Sequence, residues 1–180
     1  MSTLEAKPFS AATEYEGMVD YFLNAHDSFL LGMGVSRSLL PTRDNWMRKL
    51  LADHRLPDHR KDRLYVGWFY DGKQVGHSSV DKIQIGEQAF FHLHLWRPDL
   101  RKSGFGTRFC QQSIKIYFSR LRLKRIWSEP SAENPAPNRA LLKLGFEFIK
   151  RYRTIPGPIA FEQDVNLYRL CKPENCWCRL

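Results

Sequence analysis

Residues 101–107 read Arg-Lys-Ser-Gly-Phe-Gly-Thr, with Trp96-Arg97-Pro98-Asp99-Leu100 immediately before them. Upstream, Ala89 to Trp96 (AFFHLHLW) alternates like a strand and puts His92 and His94 on one face. Downstream, Arg108 to Leu121 has the spacing of an amphipathic helix. Glycines 104 and 106 let successive backbone N–H groups converge on an anion without obstruction by Cβ. The following helix adds its positive end. The stretch therefore predicts a pyrophosphate cradle made by backbone. It is neither of two commoner cradles: the dinucleotide fingerprint needs a third glycine, and the P-loop ends in Gly-Lys-Ser/Thr.

Outward from this loop the chain changes period. Ala11 to Leu31 predicts a helix ending near Gly32 and Gly34, and Pro41-Thr42 opens a second with Trp46, Met47, Leu50 and Leu51 on one face. Leu64 to Tyr70 and Gln74 to Ile85 flank Asp71-Gly72, a hairpin signal. Ile126 to Glu129 predicts a short strand, Asn134 to Leu144 a short helix closed by Gly145, and Phe146 to Thr154 and Phe161 to Leu170 two last strands. Helices followed by a strand meander and then mixed elements give an α/β (α+β) domain with a mostly antiparallel sheet. No repeat or linker divides residues 1–180, so a single domain is expected.

Composition bounds the function. The 28 basic against 19 acidic residues give a net charge of +9, which calls for an anionic partner such as a phosphorylated cofactor, a nucleic acid or a membrane surface. The basic clusters at 54–63, 120–125 and 150–153 are separate, with aromatic residues between some of them, and each reads as solvated basic surface; a nucleic-acid partner is not expected. The N-terminus is polar and acidic, unlike a signal peptide, and no apolar run is long enough to span a bilayer. A cytoplasmic protein with no membrane partner is expected. Cys171, Cys176 and Cys178 crowd the tail without a second ligand pair, so no metal is expected; Cys110 reads as core packing.

The loop, Arg-x-x-Gly-x-Gly after a proline turn, resembles the acetyl-CoA loop of the GNAT superfamily of N-acetyltransferases. A second GNAT-like stretch follows in Asn134-Pro-Ala-Pro-Asn138-Arg-Ala-Leu-Leu-Lys143-Leu-Gly-Phe146, and the two motifs together cover about residues 64–154. The resemblance implies a twisted sheet whose splayed central strands hold acetyl-CoA as acyl donor. It places the pyrophosphate on the amides of Arg101, Lys102, Ser103, Gly104, Phe105, Gly106 and Thr107. The Trp96 and Arg97 backbone would lie beside the thioester, and Asn134 and Asn138 in the cofactor groove. The acceptor would be a primary amine of a small molecule or of a peptide or protein N-terminus, and the enzyme a monomer or homodimer.

Amine acylation needs a base, and an imidazole suits that task near neutral pH. The HLHLW and EPSAEN segments resemble the siderophore-type lysine and aminoglycoside acyltransferase branches, in which a His stands six residues before the loop proline, as His92 stands before Pro98. His92, His94 and Glu129 are therefore the catalytic candidates. An acidic residue after the Glu-Pro often partners that His; here the position holds Ser131, and Glu129 is the possible substitute. Leu141 stands where many relatives carry a Tyr that reprotonates the thiolate, and Pro137 where the ribosomal-protein N-terminal acetyltransferase branch has a Ser. The acid is thus left to water, since a thiolate is a fair leaving group. Two rival readings stand beside amine acetylation: a siderophore-biosynthetic N-acyltransferase, and a non-catalytic CoA- or nucleic-acid-binding module of the same fold. Acceptor contacts are expected from 29–34, Trp68, Phe161, Glu162 and Asp164.

Overall fold

The computed structural model describes residues 3–101 and 103–172. Seven strands form one sheet in the order β1-β2-β3-β4-β5-β7-β6. The strands are β1 (Leu4–Pro8), β2 (Leu64–Tyr70), β3 (Lys73–Gln84), β4 (Gln88–Leu95), β5 (Arg125–Ser128), β6 (Glu147–Thr154) and β7 (Gln163–Cys171). Every pairing is antiparallel except β4 with β5. The helices α1 (Ala12–Leu23), α2 (Asp27–Gly32) and α3 (Arg43–His54) precede β2, while α4 (Phe105–Arg120) and α5 (Pro135–Lys143) flank β5. This is the mixed sheet that the alternating patterns predicted.

The chain departs from the sequence reading at its start. The helix expected across residues 11–31 is broken at Asn24, which ends α1 with its N–H on the Asp20 carbonyl, and α2 restarts three residues later. β1 was not anticipated: its five residues carry Glu5, Lys7 and Pro8, which obscure the alternation on an edge strand.

Two cores sandwich the sheet. On the α4–α5 side, Trp68 stacks on Phe109 with ring centroids 5.4 Å apart, and its Nε1–H donates to Ser113 Oγ at 2.9 Å. Phe91, Tyr117, Ile126 and Leu141 fill the same layer. On the other side, Tyr15, Met18, Val19 and Phe22 of α1 pack with Leu30, Leu50 and Tyr65. The alternation of β4 divides its side chains accordingly: Ala89 and Phe91 point to the α4 core, and His92 and His94 to the α1–α3 side.

Candidate active site

The sheet opens at its centre. The β4–β5 ladder runs only from Gln88↔Arg125 to Phe90↔Trp127, and a last tie is Ser128 Oγ–H to the Phe91 carbonyl at 2.8 Å. β4 then continues to Leu95 while β5 has ended, leaving a wedge between them. The Trp96 N–H donates to Val75 O at 2.8 Å, so even-numbered residues of β4 turn their main chain toward β3. By the same alternation Leu93 and Leu95 turn theirs into the wedge. The Trp96 amide is thus spent on β3, and its indole N–H donates to His77 Nδ1 at 3.0 Å.

At the mouth of the wedge, Gly104 caps α4 with φ of +83°, a left-handed conformation that a glycine adopts without strain. The helix begins at Phe105, three residues before the expected start. That extra turn matters, because the amides of Phe105, Gly106 and Thr107 have no acceptor inside the helix and lie at its positive end. The Arg101 amide is turned back into the loop, where it donates to Pro98 O at 3.1 Å. Its guanidinium instead donates to Leu95 O at 3.0 Å and lies over the Phe29 ring, across the wedge mouth. Ser103 Oγ–H braces the turn on Leu100 O at 2.6 Å, and Arg97 is exposed and paired with Asp99. Lys102, Cys176 and Cys178 lie outside the described residues.

The two histidines of β4 have different environments. His94 stacks on His77 with ring centroids 4.8 Å apart and is edged by Phe22 and Tyr21. Burial drives its pKa down to about 3, and the same cause holds the buried His77 well below the ordinary value. His94 is thus a packed aromatic plate and a poor base. His92 keeps a side chain 28% exposed, and its Nε2 lies 2.9 Å from Asp81 Oδ1 on β3. The other Asp81 oxygen accepts from the Arg63 guanidinium. Burial works to raise the Asp81 pKa, but His92 and Arg63 outweigh it and hold the group at about 2. A carboxylate only accepts, so Nε2 carries the proton and neutral His92 presents the Nδ1 lone pair.

Asp81 is the residue that the sequence reading missed. The sequence points to a carboxylate after Pro130 as the His92 partner, yet the one that contacts His92 comes from the neighbouring strand, where Ser79 is the register partner of His92 and Asp81 lies one pleat away. The hairpin register was the available signal. Glu129 does not substitute for it: its carboxylate takes the Tyr152 hydroxyl proton bond and a 3.2 Å contact from Lys82. Asn134 caps α5, accepting from the Ala136 N–H at 3.4 Å. Asn138 donates to Ser131 O at 2.9 Å and Asn134 O at 2.6 Å, and accepts from Asn166 and Tyr168. With all these valences used internally, Asn138 ties α5 to β7 and has none left for a cofactor.

The acceptor candidates separate in the same way. Trp68 is fully buried on the α4 side, so it cannot line the acceptor face. Glu162 pairs with Arg153 and Asp164 with Arg151. Gln163 Nε2–H donates to Gly34 O at 2.8 Å, pinning the start of β7 to the end of α2 as one wall. Leu141 is fully buried in the α4–α5 core. A Leu141→Tyr replacement is therefore expected to cost about 1–3 kcal/mol by overpacking and to supply no acid. Urea unfolding beside turnover assays checks this, and a stable, faster variant would contradict it.

Residues 31–147 match the family model described as the acetyltransferase (GNAT) domain. The chain belongs to the GNAT family. A curated relative, the uncharacterized N-acetyltransferase YoaA of Bacillus subtilis (strain 168), is 31% identical over 81 residues, which cover 43% of this chain and 44% of that protein. The match thus spans less than half of that relative. Among solved structures, the ribosomal-protein-S5-alanine acetyltransferase of Vibrio fischeri superposes with a TM-score of 0.76 at 18% identity, covering 97% of this chain and 98% of that one. The spermidine N-acetyltransferase of Vibrio cholerae in complex with CoA and spermine gives 0.73 at 15% identity, covering 96% and 97%. At such identities these two matches carry the fold.

Proposed function

We propose that this GNAT chain transfers an acetyl group from acetyl-CoA to a primary amine of a small molecule or a peptide N-terminus, with His92 as general base. The observation that carries the reading is the Asp81–His92 pair beside the opened β4–β5 wedge. The amides of Phe105, Gly106 and Thr107 suit a pyrophosphate, and the Leu93 and Leu95 peptide groups suit an extended amide-bearing arm. Arg101 leaves Leu95 O when that arm enters and turns its charge toward the phosphates. His92 Nδ1 takes the proton of the incoming ammonium, and the free amine attacks the thioester carbonyl; the C–N bond forms as the C–S bond breaks, and the nitrogen's second proton passes through water to the leaving thiolate. Asp81 holds the tautomer and stabilises the imidazolium, as an orienting carboxylate does in other His-based sites.

The cofactor half is tested by Gly104→Val. A Cβ at Gly104 meets nothing within 4 Å, so the cost is that of the left-handed backbone, about 1–2 kcal/mol. The variant is expected to fold while losing most of the rise in melting temperature that saturating CoA gives the wild type. An unchanged rise would move the pyrophosphate elsewhere, and no rise in the wild type would remove the reading.

A further inference from the structure

The open face beside His92 holds a groove of about 290 Å³ lined by Phe90, Trp127, Glu129, Lys150, Tyr152 and Leu167. Phe90 and His92 are two residues apart on the same face of β4, roughly 7 Å along the strand, so the groove begins next to the base. Three of its walls are aromatic rings. Phe90 and Trp127 stack with centroids 6.4 Å apart, and Tyr152 stands across from them on β6.

The charges of the groove are not balanced. Glu129, its single lining carboxylate, has a side chain 6% exposed and is already held by the Tyr152 hydroxyl and Lys82. A cation lies over each ring: Lys82 at 4.3 Å from the Phe90 centroid, Lys150 at 4.8 Å from Tyr152, and Arg169 at 5.9 Å from Trp127. Arg169 is paired with Glu147, whereas Lys150 has no carboxylate partner among the described residues. The carboxylates on the adjoining wall, Glu162 and Asp164, are paired with Arg153 and Arg151. A second cation entering here would meet occupied ring faces and, among the described residues, no free carboxylate. Lys82 is spent on Glu129, but an anionic group would meet the Lys150 ammonium on the groove wall, and the +9 chain would steer it in.

Resting on the acetyltransferase reading above, we infer that the acceptor is an amine that also carries an acidic group, seated with its amine at His92 and its anionic part in this groove. Two sources share that chemistry: a small amino carboxylate and the N-terminus of an acidic peptide.

The test measures CoA release with four acceptors: a short free amino dicarboxylate, a peptide whose free N-terminus precedes three acidic residues, its counterpart with three lysines, and spermidine. One or both acidic acceptors are expected to exceed the basic peptide and spermidine by about tenfold or more in kcat/KM, a difference of about 1.4 kcal/mol. Which acidic acceptor leads names the source. Lys150→Glu should cut that preference about tenfold through KM, with melting temperature and KM for acetyl-CoA unchanged. Faster acetylation of spermidine or the basic peptide would overturn the inference and leave the acetyltransferase reading standing. An unchanged preference in Lys150→Glu would also overturn it, as would a dimer in sedimentation whose formation Lys150→Glu abolishes, because a second copy would then fill the groove. CoA release from none of the four, with CoA still raising the melting temperature, would overturn both.

Discussion

Replacing His92 by alanine is expected to lower kcat/KM for amine acetylation on the order of 10²–10⁴-fold, the usual worth of a positioned general base. His94→Ala should cost far less in rate, because its imidazole is packed against His77 and has a pKa of about 3. The partner carboxylate separates this from a trivial packing effect. Asp81→Asn keeps the shape but also offers a donor to Nε2, so the wrong tautomer competes and the rate should fall by about 10². Because the two residues act as one unit, the double variant should be little worse than His92→Ala alone. Additive losses in that cycle would show that Asp81 serves the fold and not the base.

A second large effect is expected in acid. In the unfolded chain His77 and His94 titrate near 6.5, while in the fold burial keeps both neutral far below that value, His94 down to about 3. The unfolded state thus binds more protons in this window, and stability rises with pH. It is full above about pH 6.5 and is lost as pH falls toward 3. His94 alone removes up to about 1.4 kcal/mol per pH unit, so on the order of 2 kcal/mol by pH 5. Asp81 does not act between pH 7.5 and 5.0: its pKa is lowered from 3.8 to about 2, so its stabilisation is full above about pH 3.8 and is lost as pH falls from there through about 2. Urea titrations at pH 7.5 and 5.0 on the wild type and His94→Leu measure the effect. The variant should show a shallower pH dependence whatever its absolute stability. Equal slopes would mean that His94 is protonated without cost.

How much of this was legible in the sequence depended on whether the signal was local. The Gly104-x-Gly106 turn, the Asp71-Gly72 hairpin and the strands on either side of them could be read because each is written in adjacent residues. The strand β1 could not, since charged residues alternate with only two apolar ones at a sheet edge. The candidate site divides in the same way. The sequence points to His92 as a candidate by its spacing to Pro98, but the carboxylate it contacts depends on the β3–β4 register, which contains an irregularity between Asp81 and Gln84. Asn138 was assigned to the cofactor because the motif contains it, whereas its contacts with Ser131, Asn166 and Tyr168 arise only when α5 meets β7. His94 matched His92 in face and spacing, and only the rings of α1 and His77 distinguish them.

In the proposed reaction His92, held by Asp81, removes the proton from the acceptor amine. Its most direct test is the pH profile of kcat/KM for acetyl-CoA-dependent CoA release, using whichever amine the wild type acetylates best. The wild type should show a rising limb that follows an imidazole. In Asp81→Asn most of the rate should be lost at every pH because the wrong tautomer competes, and in His92→Ala the limb should disappear along with most of the rate. The same limb at the same pH in a folded His92→Ala protein would contradict the account.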